Sequence, residues 1–124
     1  MAKLKWKERE VGEVVILQMA GDITFGEGSV ALRNEIRRLV KEGKRSILLD
    51  FANVGYIDSS GIGELVSSFT SVGREGGQLK LLNLTRRVQD LLAITKLLTV
   101  FDVYEDESTA LRSFRESGAM SARQ

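Results

Sequence analysis

The run Ser46 to Phe51 (SILLDF) is apolar with no regular alternation. A strand with one wet face alternates apolar and polar residues, whereas a strand covered on both faces reads as a short continuous apolar run. The flanking segments have a different period. Upstream, Leu32, Ile36, Leu39 and Val40 recur at i, i+4, i+7 and i+8, one apolar stripe on a helix. Downstream, Ile62, Leu65, Val66, Phe69 and Val72 form a second stripe. A doubly covered strand between two amphipathic helices confines the chain to a sheet with helices packed on it.

The remaining elements fit that frame. Leu4 and Trp6 alternate with Lys3, Lys5 and Lys7, and Glu13 to Ala20 is rich in Val and Ile. Joined by a turn at Val11-Gly12, these read as a hairpin, and Trp6 shares a packing face with Leu4. Residues 21–29 (GDITFGEGS) hold three glycines and read as a loop, with Ser29 placed to cap the next helix and Gly43 to end it. Gln78 to Leu84 is a further strand after the pair Gly76-Gly77. Val88, Leu91, Leu92 and Leu97 mark a helix capped by Thr85, Val100 to Tyr104 a short strand, and Glu107 to Glu116 a last helix with Leu111 and Phe114 inward. The predicted order is ββαβαβαβα: one α/β domain over 1–117, a mixed sheet of about four or five strands covered by about four helices, and a disordered tail over 118–124.

Composition removes several function classes. The 124 residues fit one domain. There is no cysteine for a disulfide or thiolate site, and no histidine, so a Ser-His nucleophile pair cannot be built. The reading is therefore not an enzyme, with no cofactor and no metal. With 18 basic and 17 acidic residues the net charge is +1, without the basic excess that phosphate neutralisation demands of a direct nucleic-acid binder. The N-terminal positive charges are followed by no apolar stretch of signal-peptide length, and the run Val14 to Leu17 is far too short to span a bilayer. The expectation is a soluble, cytoplasmic protein with no membrane insertion.

Residues 56–63 read YIDSSGIG, at the corner where the covered strand gives way to a helix. Asp58 and Ser60 suit capping, since a side-chain oxygen can accept a first-turn amide, and glycine permits the tight backbone. Nucleotide-loop patterns fail: after Gly61 and Gly63 the third glycine position is Val66, and no Gly-Lys-Ser/Thr follows. A Gly-x-Ser-x-Gly elbow is also missing. What remains is a hydroxyl at a helix N-terminus, a favourable place for a phosphate, although Asp58 and Glu64 oppose its charge.

The string NVGYIDSSGIGELVSSF resembles the signature of the STAS domain of bacterial anti-sigma-factor antagonists. Gly21-Asp22-Ile23 is similar to the Gly-Glu-Leu/Ile stretch of that family, and the glycine pair, the following strand and the close at 101–111 agree in order and spacing. The resemblance covers about residues 10–115. It implies an anti-sigma-factor antagonist whose unphosphorylated form binds an anti-sigma factor with kinase activity and frees the sigma factor. Phosphorylation at Ser59 switches binding off, and a serine phosphatase restores it. The implied contact surface takes in Asp22, Thr24, Gly26, Asp58, Ser60, Gly61, Ile62 and Glu64, and the chain is expected to be a monomer or weak dimer. One departure stands at Thr24, where the family commonly carries Asp, which bears on how efficiently Ser59 is phosphorylated. Two alternatives remain: a STAS scaffold subunit of a larger signalling assembly, and a STAS subunit of a membrane lipid-transport complex. The pairs Arg37-Arg38 and Arg86-Arg87 read as solvated helix ends that can also meet an acidic partner.

Overall fold

The computed structural model describes residues 3–122, with side chains through Glu116. Its elements are β1 (Lys5–Val11), β2 (Val14–Ile23), α1 (Glu27–Lys41), β3 (Ser46–Ile57), α2 (Ser59–Arg74), β4 (Gln78–Leu82), α3 (Arg86–Ile94), β5 (Val103–Tyr104) and α4 (Glu107–Ala122). The order agrees with the predicted ββαβαβαβα, and the five strands lie side by side in chain order. β1 is antiparallel to β2; every other neighbouring pair is parallel, joined through a helix.

Because each crossover advances one strand in the same direction, crossovers of one hand bring their helices to the same face. Leu32, Ile36 and Leu39 of α1, Leu65 and Val72 of α2, and Val88 and Leu92 of α3 pack with Val15, Leu17, Ile47, Leu49 and Leu81 in one core. The opposite face belongs to α4, whose Ala110 and Phe114 cover Val14, Ile16, Leu48 and Leu82 in a smaller core. β3 is thus buried on both sides along its first half, which is why 47–51 shows no alternation.

Several boundaries differ from expectation for physical reasons. β2 and β3 run on to Ile23 and Ile57, so Gly21-Asp22-Ile23 is strand where a loop was predicted. The extension holds because Asp22 and Ile23 pair with Tyr56 and Ile57 beyond two register shifts. Ser29 does not cap α1: the helix begins one turn earlier with Gly26 as its cap residue, and the buried Ser29 donates its hydroxyl to the Gly26 carbonyl. β4 stops at Leu82 because Asn83 takes a positive φ of 56°, and β5 is only two residues long. α4 continues past the predicted end at Glu116 to Ala122; of the tail expected over 118–124, the last two residues lie outside those described.

Arg38 fastens β1 to α1, pairing with Glu35 and Glu42 on its own helix and with Glu8 on the strand. Arg9 reaches Glu107 from the other face, tying the hairpin to α4. Beneath α4 lies Lys80, buried, with its ammonium 2.9 Å from Ser113 Oγ, 4.9 Å from the Phe114 ring centroid and 3.8 Å from Asp102. Among the described residues, no helix is long and apolar enough to cross a membrane.

Candidate functional site

The C-terminal ends of β2 and β3 deliver the β2–α1 loop and the start of α2 to one place. Asp58 is the cap residue of α2, held extended at φ −98° and ψ −175°. Its Oδ1 accepts the Gly61 amide at 2.9 Å, and its Oδ2 accepts the amide of Phe25, also at 2.9 Å. Its own amide donates to the Ile23 carbonyl at 3.2 Å. One residue therefore caps the helix and holds the neighbouring loop against it. The cap predicted for Ser60 as well is carried by Asp58. Partial desolvation raises the Asp58 pKa, but the amides of Gly61, Phe25 and Ser60 outweigh it and hold the carboxyl below its ordinary value.

Ser59 follows as the first residue of α2 and is exposed. Its hydroxyl stands at the positive end of the helix dipole, next to a carboxylate whose two oxygens are both engaged by amides. Asp58 is thus a structural acceptor beside the serine. Among the described residues, no group of three or more His, Cys, Asp or Glu is arranged to hold a metal ion.

The other predicted contact residues divide by exposure. Thr24 and Gly26 are partly exposed on the loop that Asp58 holds; the Thr24 carbonyl accepts the Ser29 amide at 3.0 Å. Gly26 adopts φ 91°, a left-handed conformation that favours glycine. Asp22 is also partly exposed, its carboxylate lying over Gly55. Gly61, Ile62 and Glu64 are buried. A Cβ on Gly61 would fall 2.1 Å from the Ile23 carbonyl oxygen, so glycine lets α2 start directly against the end of β2. Ile62 belongs to the main core. Glu64 faces α1, where Oε1 accepts from Arg33 Nε at 2.8 Å, and its charge is spent holding α1 to α2.

Two further residues stand beside this site: Phe25, which escaped the sequence reading, and Arg87, which it had placed at a solvated helix end. Phe25 is 82% exposed at the tip of the loop, fixed through its amide to Asp58. An aromatic residue among small polar and glycine residues was the available signal. Arg87 lies over the Tyr56 ring at 4.7 Å, bringing the start of α3 to the same end of the sheet. Thr85 caps that helix as predicted and also donates its hydroxyl to the Val54 carbonyl at 3.0 Å.

The chain matches the family model for the STAS domain over residues 5–110. It is 34% identical over 87 residues to the anti-sigma-B factor antagonist of Bacillus subtilis, covering 70% of this chain and 78% of that one. The anti-sigma F factor antagonist of Paenibacillus polymyxa is 21% identical over 98 residues, 79% of this chain and 84% of that one. In fold, an anti-sigma factor antagonist from Mycobacterium paratuberculosis superposes with a TM-score of 0.79 at 20% identity, covering 90% and 94% of the two chains. The Bacillus cell fate determinant SpoIIAA in its phosphorylated form superposes with a TM-score of 0.69 at 19% identity, covering 88% and 98%. With its fold, its Asp-Ser-Ser-Gly corner and these relatives in agreement, the chain belongs to the STAS domain family.

Proposed function

We propose that this protein is a phosphorylation-switched anti-sigma-factor antagonist acting in the cytoplasm. The unphosphorylated form binds an anti-sigma factor that is also a serine kinase and so frees a sigma factor; phosphate on Ser59 ends that binding, and a serine phosphatase renews it. The observation that carries this reading is that Ser59 stands exposed at the first position of α2 while Asp58 performs the capping. The capping falls to Asp58, and the serine is left exposed beside it. Its resemblance to named antagonists, one of them known in a phosphorylated form, supports the same reading.

Electrostatics supplies the switch. A phosphoserine adds about 1.5 to 2 negative charges at neutral pH. Those charges would stand next to the Asp58 carboxylate, where two amides are already committed. A partner surface shaped for a hydroxyl would have to strip water from that dianion, so affinity falls steeply. The proposed contact surface joins Ser59 and Ser60 to Asp22, Thr24 and Gly26, with Phe25 as its aromatic centre. Asp58, Gly61, Ile62 and Glu64 hold that surface in shape from beneath.

Incubating the chain with the anti-sigma kinases of its host and ATP, then mapping phosphate by mass spectrometry, tests the reading. Label at Ser59 is expected, with Ser59→Asp losing anti-sigma binding and Ser59→Ala keeping it. Equal affinity of those two variants would overturn the electrostatic switch, and no label with any kinase would overturn the phosphorylation.

A further inference from the structure

At the other end of the sheet from Ser59, a cleft of about 1030 Å³ opens between α4 and the N-terminal ends of β3 and β4. The twelve residues of β3 separate it from the switch by roughly 35 Å. Its apolar wall is made by the exposed Val11 and the half-buried Leu111, over the buried Val14 and Phe114 of the smaller core. Three arginines also line it: Arg45 at the start of β3, and Arg112 and Arg115 one turn apart on α4. Glu13 is the single acidic lining residue among those described. Arg45 donates to the Val40 and Lys44 carbonyls at 3.0 and 3.1 Å with its guanidinium 3.8 Å from Glu75, whereas Arg112 and Arg115 are exposed.

This combination is specific in its chemistry. Apolar wall alone suits any greasy ligand, and arginines alone suit any anion; together they select a molecule with a hydrophobic body and a negative head. We propose that the cleft binds a free single-chain amphiphile with an anionic head, its body along Val11 and Leu111 and its head among the three arginines. The site makes the protein a receptor for a small molecule in addition to a partner for a protein. It does not rest on the partner-switching reading, because it shares no residue with the Ser59 surface.

The test uses the full chain, with anilinonaphthalene sulfonate as fluorescent probe and laurate, below its micelle concentration, as competitor. Saturable one-site binding displaced by laurate is expected, with dodecanol and acetate each at least tenfold weaker. Arg112→Glu combined with Arg115→Glu should weaken laurate at least tenfold without loss of cooperative melting, both positions being exposed. Ser59→Asp should leave laurate binding unchanged. Equal competition by dodecanol would overturn the anionic head, and equal competition by acetate the apolar body. Absence of saturable binding, or indifference to the arginine substitutions, would overturn the site itself. Sedimentation with phosphatidylglycerol vesicles that free laurate fails to reverse would reassign the surface to a membrane.

Discussion

The Asp58 carboxylate receives the Gly61 amide on one oxygen and the Phe25 amide on the other, so truncating it frees two backbone donors together. Asp58→Ala should cost about 1–2 kcal/mol, the usual range for losing a helix cap, and should loosen the 24–26 loop as read by amide hydrogen exchange. Phe25→Ala should behave oppositely. Its ring is solvated, so melting should barely move, whereas binding to an anti-sigma factor should weaken roughly tenfold or more if the ring is a central anchor. The two substitutions thereby separate what shapes the surface from what touches the partner. Ser59 and Asp58 were legible in the sequence because the motif puts them next to each other. The outward aim of Phe25 was not, since it depends on a hydrogen bond to a residue 33 positions away. Lys80 was hidden for the same reason: it interrupts an apolar strand, and the serine that receives it lies on α4.

Among the elements, β1 is an open sheet edge, and its charges decide what can pair with it. Lys5, Lys7 and Arg9 fall on the face toward α4, while Trp6, Glu8 and Glu10 fall on the face toward α1. Two copies joining edge to edge with like faces aligned would set cations opposite cations and acids opposite acids. The alternation thus discourages sheet extension between copies. Lys5→Thr with Lys7→Thr should shift sedimentation toward larger species at a concentration where the native chain does not associate; no difference would remove the edge charges as the cause. Strand and helix identity was readable throughout from period, but lengths were not. The ends of β2 and β3 are set by each other across two register shifts, and the start of α1 by the backbone of Gly26, neither of which leaves a periodic trace. α4 draws on a different cap, Asp106, whose hydrogen bonds from Ser108 and Thr109 lower its pKa to about 2.

For the molecule as a whole, Asp58, Asp106 and Glu35 set the acid limit. All three carboxyls are lowered in the fold, Glu35 chiefly by its hydrogen bond from Arg38, so what they contribute is present above the ordinary carboxylate values near pH 4. It is lost as pH falls through the lowered values. Thermal stability should therefore hold level from neutrality to about pH 4 and drop below it, with Asp106→Asn showing a shallower drop; an identical acid limb in that variant would sever the link. The two-sided core was foreseeable from the unbroken apolar run of β3, although which helix would cover the second face was not, because α4 is no more apolar than its neighbours in the sequence. The strands also lie in space in the order in which they occur along the chain. As the polypeptide leaves the ribosome, each new strand can therefore dock on an edge already in place, with no later segment needed to complete an earlier pairing. The exception comes last: until residues 107–114 emerge, Val14, Ile16, Leu48 and Leu82 have no cover, and a nascent chain stalled at that point presents a greasy sheet to whatever chaperone is nearest.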